Sequence, residues 1–101
     1  MNYNGLKIGV FFKNYEWAEK WFSDFLNKVD NVCVARVVKN GVYPFFIELK
    51  DGTRITAHHA NKLARGIAID KAFVEPSVDD DILNYIIKPL VGHTQFVEIE
   101  D

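Results

Sequence analysis

The chain has 101 residues, of which 49% are hydrophobic and 26% charged, and its formal net charge at pH 7 is −2. This length predicts one domain, residues 1–101, that folds without metals or disulfides, and this composition excludes intrinsic disorder. No apolar run reaches about 18 residues and the N-terminus has no small-residue cleavage site. We therefore expect a cytoplasmic protein that does not contact the membrane.

The charge is distributed unevenly along the chain. Residues 1–66 carry ten Lys and Arg against six Asp and Glu, a balance of +4, whereas residues 67–101 carry two against eight, a balance of −6. Such an asymmetry either orients a partner or a homodimer through the summed field, or reflects two differently charged solvated faces.

The N-terminal third predicts a strand followed by a helix. The segment LKIGVFF, residues 6–12, alternates its apolar side chains and predicts a half-buried strand. Asn14 is the expected N-cap of the helix, and Asp30 is expected to end it. Trp17 lies beside the apolar stripe of this helix. The stripe, which we expect to face the core, consists of Ala18, Trp21, Phe22, Phe25, Leu26 and Val29.

Residues 32–38, VCVARVV, are β-branched and apolar on both faces, which predicts a strand covered on two sides. Cys33 is the only cysteine, so no internal disulfide forms, and in such a strand we expect a buried, unreactive thiol. Asn40 and Gly41 then predict a two-residue hairpin turn, because both residues tolerate positive φ.

The register of the next hairpin follows from its loop length. A two-residue Asp51-Gly52 loop would mix apolar and polar side chains on each face. A three-residue loop, Lys50 to Gly52, with Gly52 in the left-handed region, sets Glu48 opposite Arg54. It also gathers on one face the apolar side chains of Phe45, Ile47, Leu49, Ile55 and Ala57.

The C-terminal half predicts a connection, a strand, a helix and a last strand. Residues 58–66 form the connection or a short helical turn, and DKAFVE predicts a buried strand that ends at Glu75. Ser77 is the expected N-cap of the next helix, and Pro89 its expected end. The stripe of this helix comprises Ile82, Leu83, Ile86 and Ile87, and TQFVEIE predicts an edge strand after it.

These elements predict a single α/β domain with a mixed sheet of five to six strands and two helices, in the order β-α-β-β-β-β-α-β. An α+β arrangement is the alternative.

The segment of residues 47–90, IELKDGTRITAHHANKLARGIAIDKAFVEPSVDDDILNYIIKPL, resembles the Walker B region of phage terminase large subunits and related RecA-like motor ATPases. In that family a hairpin leads to an Ala-Arg-Gly element, and then to four apolar residues followed by Asp-Glu. The resemblance places Arg65 in the turn element and Glu75 at the metal-binding acid. The chain also resembles small phage and prophage proteins of this style.

The chain departs from this family where nucleotide chemistry requires specific residues. Pro76 stands where the family has its catalytic Glu, and no G-x-x-x-x-G-K-[ST] loop is present to hold phosphates. Residues 79–81 are three aspartates in the first turn of a helix, where they would repel a phosphate. They are interpreted as capping residues, and a divalent-metal site with Asp70 or Glu75 is the alternative.

The histidines do not predict a metal site. His58 and His59 are adjacent on a strand end, so their side chains point to opposite faces, and His93 lies in a separate turn. A catalytic pair of Cys33 with His59 or His93 is disfavoured, because an apolar strand disfavours the thiolate. We expect no cofactor and no metal, with Asp70 and Glu75 as the weak metal candidates.

Basic residues of the first two thirds raise the alternative of an accessory nucleic-acid binder, with Tyr43 or Phe46 available to stack on bases. The sequence pI near 5.9 counts against it. The basic residues are Lys7, Lys13, Lys39, Lys50, Arg54, Lys62 and Arg65.

The sequence favours a non-catalytic, phage-type interaction or regulatory module that binds a host or phage protein. The candidate interaction residues are Trp17, Phe46, Arg54 and Arg65, of which Trp17 is the first anchor. A metal-dependent hydrolase or nuclease around Asp70 and Glu75 is the third hypothesis.

Overall fold

The computed structural model describes residues 5–40, 43–61, 68–92 and 96–99. Within these residues six strands and two helices follow one another in the predicted order, which confirms the α/β class and the mixed sheet. The predictions made for Gly41, Arg65 and His93 lie outside the described residues.

The six strands form one sheet, and β1 occupies its centre. The strands are β1 (Lys7–Phe12), β2 (Val34–Asn40), β3 (Tyr43–Leu49), β4 (Arg54–His59), β5 (Lys71–Val74) and β6 (Phe96–Ile99). Their order is β2-β3-β4-β1-β5-β6. β1 is parallel to β4 and β5, and β6 is parallel to β5, whereas β3 is antiparallel to both of its neighbours. The carboxyl ends of β4, β1 and β5 therefore meet at one edge.

The two helices cover opposite faces of the central strands. Helix α1 (Tyr15–Lys28) packs Phe22 against Ile8 and Val10 of β1. Helix α2 is continuous through three segments, α-helical Asp80–Ile82, π-helical Leu83–Ile87 and α-helical Lys88–Val91. It packs Ile87 against Phe11 on the other face. No helix among the described residues is long and apolar enough to cross a membrane.

The prediction that the first strand is half-buried is wrong, because β1 lies between the two helices. Its residues from Ile8 to Phe12 are buried on both faces. Gly9 has no side chain, and the ring of Phe11 fills that space: a Cβ on Gly9 would lie 2.8 Å from the Phe11 ring. The alternation in the sequence correctly separates Ile8 and Val10, which pack in the core beneath α1, from Phe11, which packs in the core beneath α2.

The prediction of a doubly covered strand at residues 32–38 is also wrong. β2 lies at the edge of the sheet, and Val32 and Val38 are 65% and 44% exposed. Cys33 is exposed rather than buried, because it ends a 3-10 turn, Asn31–Cys33, that precedes the strand. The β-branched residues here reflect strand propensity rather than burial.

The register predicted for the hairpin between β3 and β4 is confirmed. Ile47 pairs with Ile55 and Glu48 with Arg54, and the Leu49 N–H donates to the Thr53 carbonyl at 2.9 Å across a three-residue loop. Gly52 has φ +92°, a backbone conformation that residues with a side chain rarely adopt.

Helix α2 begins and ends later than predicted. Its N-cap is Asp79 rather than Ser77, and it continues past Pro89 to Val91. The Lys88 N–H donates to the carbonyl of Leu83, five residues earlier, as in a π-helix. This wider turn lets the helix pass a proline that has no N–H to donate. In the predicted stripe, Leu83, Ile86 and Ile87 are buried and Ile82 is half-buried.

Candidate functional site at the carboxyl edge of the sheet

The carboxyl edge of the parallel strands is where open α/β sheets usually bind ligands. Here β1 ends at Phe12, and Lys13 and Asn14 form the turn into α1. β5 lies directly beside β1, and the N–H of Glu75, which follows β5, donates to the Phe11 carbonyl at 3.0 Å. The strand pairing thus brings the Glu75 side chain against the start of α1.

The Glu75 carboxylate accepts four hydrogen bonds, three from Lys13 and Asn14 at the start of α1 and one from Ser77. One oxygen, Oε1, accepts from the backbone N–H groups of Lys13 at 3.0 Å and Asn14 at 2.8 Å. The other, Oε2, accepts from Asn14 Nδ2 at 2.6 Å and from the Ser77 hydroxyl. Glu75 is 4% exposed. An acidic side chain therefore fills the position where a helix N-terminus attracts an anion.

Two opposing effects set the pKa of Glu75. Burial alone would raise the pKa, because it disfavours the charged form. Hydrogen bonds from Ser77, Asn14 and Lys13 outweigh burial, so the pKa lies below its ordinary value. The carboxylate is therefore ionised near neutral pH and holds this edge together as an anion.

The two predicted capping residues have a different role in the structure. Asn14 does occupy the N-cap position of α1, with φ −110° and ψ 128°, but its side chain forms no capping hydrogen bond. Its amide bonds Glu75 instead, and so does the hydroxyl of Ser77. The sequence correctly predicted that Asn14 lies at the N-cap position. Both side chains, however, donate to the Glu75 carboxylate, which is 61 residues from Asn14 and 2 residues from Ser77.

His58 and His59 end β4 at the same edge, and their side chains lie on opposite faces as predicted. His58 stacks on Phe11, with ring centroids 5.3 Å apart, and His59 contacts Phe12 at 4.5 Å. Burial lowers the pKa of His58, since it disfavours the imidazolium. Because the sheet separates the two rings, they do not form a common ligand pair.

Asp70 and Glu75, the weak metal candidates, lie at opposite ends of β5. The Asp70 carboxylate accepts from the Lys7 N–H at 2.8 Å, at the amino end of β1. Five residues of extended chain separate the two acids by about 16 Å, so one ion cannot contact both. The described residues contain no group of three or more His, Cys, Asp or Glu placed to hold a metal ion. The metal-dependent hydrolase stays a hypothesis.

Trp17 lies on α1 beside a shallow groove between this helix and β5. It is half-buried and packs against the core on that face. Trp21 stacks on Phe25, with ring centroids 5.6 Å apart, and contacts Phe73 of β5 at 5.2 Å. We call this surface the aromatic groove; it is lined by Trp17, Lys20, Trp21, Asp24, Phe25, Lys28 and Phe73.

Phe46 and Arg54 lie on the other face of the sheet from Trp17. Phe46 pairs with Thr56, and Glu48 pairs with Arg54. These four side chains therefore lie on the face of the sheet that α1 does not cover. Arg36 of β2 joins them there: its guanidinium lies 5.2 Å from the Phe46 ring centroid and its Nε 3.7 Å from Glu48. Sequence reasoning missed Arg36, although its position among apolar residues was a signal for an outward-facing side chain.

Comparisons with known proteins do not assign the chain to a family. No family model, curated protein or solved structure matches the chain. The resemblance of residues 47–90 to terminase motor proteins therefore stays a prediction, and the function has to be argued from the residues themselves.

Proposed function

We propose that the chain is a non-catalytic protein–protein interaction module, of the phage type that its sequence resemblance implies, which binds and regulates a host or phage protein. The observation that carries this proposal is the closed carboxyl edge. The Glu75 carboxylate accepts three hydrogen bonds at the N-terminus of α1 and a fourth from Ser77, at a position where a helix N-terminus favours an anion.

A phosphate at this edge would have to displace a buried anion. Both backbone donors of the turn, at Lys13 and Asn14, are already used by Glu75. Asp79 lies nearby, with its carboxylate 3.9 Å from the Lys13 ammonium, and adds negative charge to the same edge. Because phosphoryl transfer depends on positioned donors and cations, these contacts favour an architectural role for the edge.

Among the described residues, two exposed surfaces carry aromatic or guanidinium groups of the kind that anchor interfaces. The aromatic groove presents the half-buried Trp17 on one side of the molecule. The opposite face presents Phe46 together with Arg36 and Arg54. A protein partner that contacts either surface would leave the core unchanged.

An accessory nucleic-acid binder is the second candidate, and one observation favours it. Arg36 and Arg54, both about 60% exposed at the side chain, share a face with an aromatic ring, Phe46. Glu48 lies between the two arginines and neutralises part of their charge. The chain as a whole is also acidic. The protein partner is therefore the better supported candidate.

Affinity capture from a bacterial lysate, the host that a phage-type origin implies, tests the proposal. The immobilised wild-type chain is expected to retain a protein in stoichiometric amount, and Trp17→Ala or Arg54→Glu to lose it. Asn84→Ala changes an exposed residue of α2 outside both surfaces and serves as the matched control. Absence of any stoichiometric protein, or retention that nuclease treatment abolishes, would contradict the proposal.

A further inference from the structure

The face of the sheet opposite α1 carries a row of charged side chains across four adjacent strands. Arg36 pairs with Glu48, Glu48 with Arg54, and Arg54 with Lys7. Paired residues on neighbouring strands point to the same face, and adjacent strands lie about 4.8 Å apart. These four residues, which we call the basic row, therefore span about 14 Å from β2 to β1.

The basic row has an excess of positive charge and of hydrogen-bond donors. It contains three cations and one carboxylate, and a second carboxylate, that of Asp70, accepts from the Lys7 N–H at 2.8 Å at its β1 end. The Nε atoms of Arg36 and Arg54 lie 3.7 and 3.6 Å from the two oxygens of Glu48. Two guanidinium groups carry about ten N–H donors, whereas one carboxylate offers about four acceptor sites. The arginine side chains are 62% and 60% exposed, and that of Glu48 only 25%. Donors thus remain for a further anionic group.

A second row, which we call the apolar row for Val38 and Phe46 although it also contains Thr56, runs parallel to the basic row, two residues further along the strands. Val38 pairs with Phe46, and Phe46 with Thr56. Val38 is 44% exposed, and Phe46 is half-buried beneath the guanidinium of Arg36. A ligand that matches both rows needs carboxylates along one line and apolar side chains along a line about 7 Å away.

The geometry points to an acidic protein segment with interspersed apolar residues as the ligand of the basic row. This inference rests on the proposed function and names its surface and the chemistry of its partner. Arg36 and Arg54 present forked donors that bind carboxylates bidentately, and the apolar row accepts the side chains between them. The excess positive charge of the row and the negative charge of the segment are complementary.

Single-stranded nucleic acid matches the basic row less well. Binding of that kind uses a series of exposed rings on which successive bases stack. Here Phe46 is half-buried and covered by Arg36, and Glu48 places a negative charge inside the row. One half-buried ring therefore offers little stacking to successive bases.

Fluorescence anisotropy with labelled peptides tests the inference. The probes are a peptide of about twelve residues in which pairs of Glu alternate with pairs of Val, so that an extended strand presents Glu and Val about 7 Å apart on one face, its counterpart with Gln in place of Glu, and a thymidine oligonucleotide of about fifteen nucleotides. We expect the Glu peptide to bind at least about tenfold more tightly than the Gln peptide at low salt, and to weaken as salt rises. The double variant R36E/R54E is expected to weaken the Glu peptide at least about tenfold.

The matched control is K13E/K88E, which makes the same change of charge on exposed residues outside both surfaces, one in the turn before α1 and one on α2. It should keep the affinity for the Glu peptide within about twofold, and circular dichroism with thermal unfolding should show both double variants folded. Equal binding of the Glu and Gln peptides, or an equal loss in the control variant, would overturn the inference. So would tighter binding of the oligonucleotide.

Sedimentation equilibrium tests a second copy of the chain as the occupant. A wild-type dimer that R36E/R54E dissociates would assign the basic row to self-association and overturn the inference. The capture experiment separates this failure from failure of the proposed function. A captured partner that still binds R36E/R54E rejects the basic row but leaves the interaction module in place.

Discussion

The Glu75 side chain alone accepts the hydrogen bonds of both N–H groups in the turn before α1. Its position at the end of an apolar strand and the cap signal of Asn14 are both local features of the sequence, and both were predicted correctly. Their hydrogen bond joins residues 61 positions apart and depends on β5 lying beside β1. No local pattern contains that adjacency, so the pairing of Glu75 with the start of α1 could not be predicted.

The substitution Glu75→Gln is expected to lower the free energy of unfolding at pH 7 by about 2 kcal/mol, because hydrogen bonds to a charged group contribute about 1.5–3 kcal/mol. The pKa of Glu75 is depressed in the folded state. Its stabilising contribution is therefore present above the ordinary carboxyl pKa and is lost as the pH falls through the lowered value. Urea unfolding at pH 7 and at about pH 3 measures the difference between wild type and variant, which should narrow at low pH.

Glu16→Gln is the control for this prediction. Glu16 is an exposed acid in the first turn of the same helix, where neutralisation costs only about 0.3–1 kcal/mol. If both variants lost the same free energy of unfolding at pH 7, Glu75 would act only through the general field of the helix.

At the scale of elements, prediction succeeded where the determinants are local. The hairpin of β3 and β4 followed from turn chemistry and alternation alone, and its register was predicted residue by residue. Burial of β2 was predicted wrongly, because composition cannot show which strand lies at the edge. The end of α2 was also missed, since a π-helical turn at Leu83–Ile87 carries the helix past Pro89.

The hairpin gives a test at this scale. Gly52→Ala places a side chain at φ +92° and is expected to destabilise the fold by about 1–2 kcal/mol, the cost of left-handed backbone for other residues. Lys50→Ala, at an exposed position of the same loop, should change stability by less than about 0.5 kcal/mol. Thermal unfolding of the two variants compares them, and equal midpoints would show that the turn does not require glycine.

At the scale of the whole molecule, the sheet order β2-β3-β4-β1-β5-β6 determines what is exposed. The sequence predicted the element order but not the strand order, because non-local pairing decides it. As a result the candidate residues Trp17, Phe46 and Arg54 do not form one surface. Trp17 belongs to the aromatic groove, and the other two lie on the opposite face near the basic row. A partner of ordinary size would contact one of these faces.

The central proposal is that Glu75 occupies the anion position at the start of α1, so that the N–H groups of Lys13 and Asn14 are not available to a nucleotide. Amide chemical shifts of Lys13 and Asn14, followed by NMR during titration with magnesium and ATP, test it most directly. The structure predicts that both amides keep their shifts at millimolar ATP, because their N–H groups remain bonded to Glu75. Saturable, magnesium-dependent shifts at these two amides would contradict the claim.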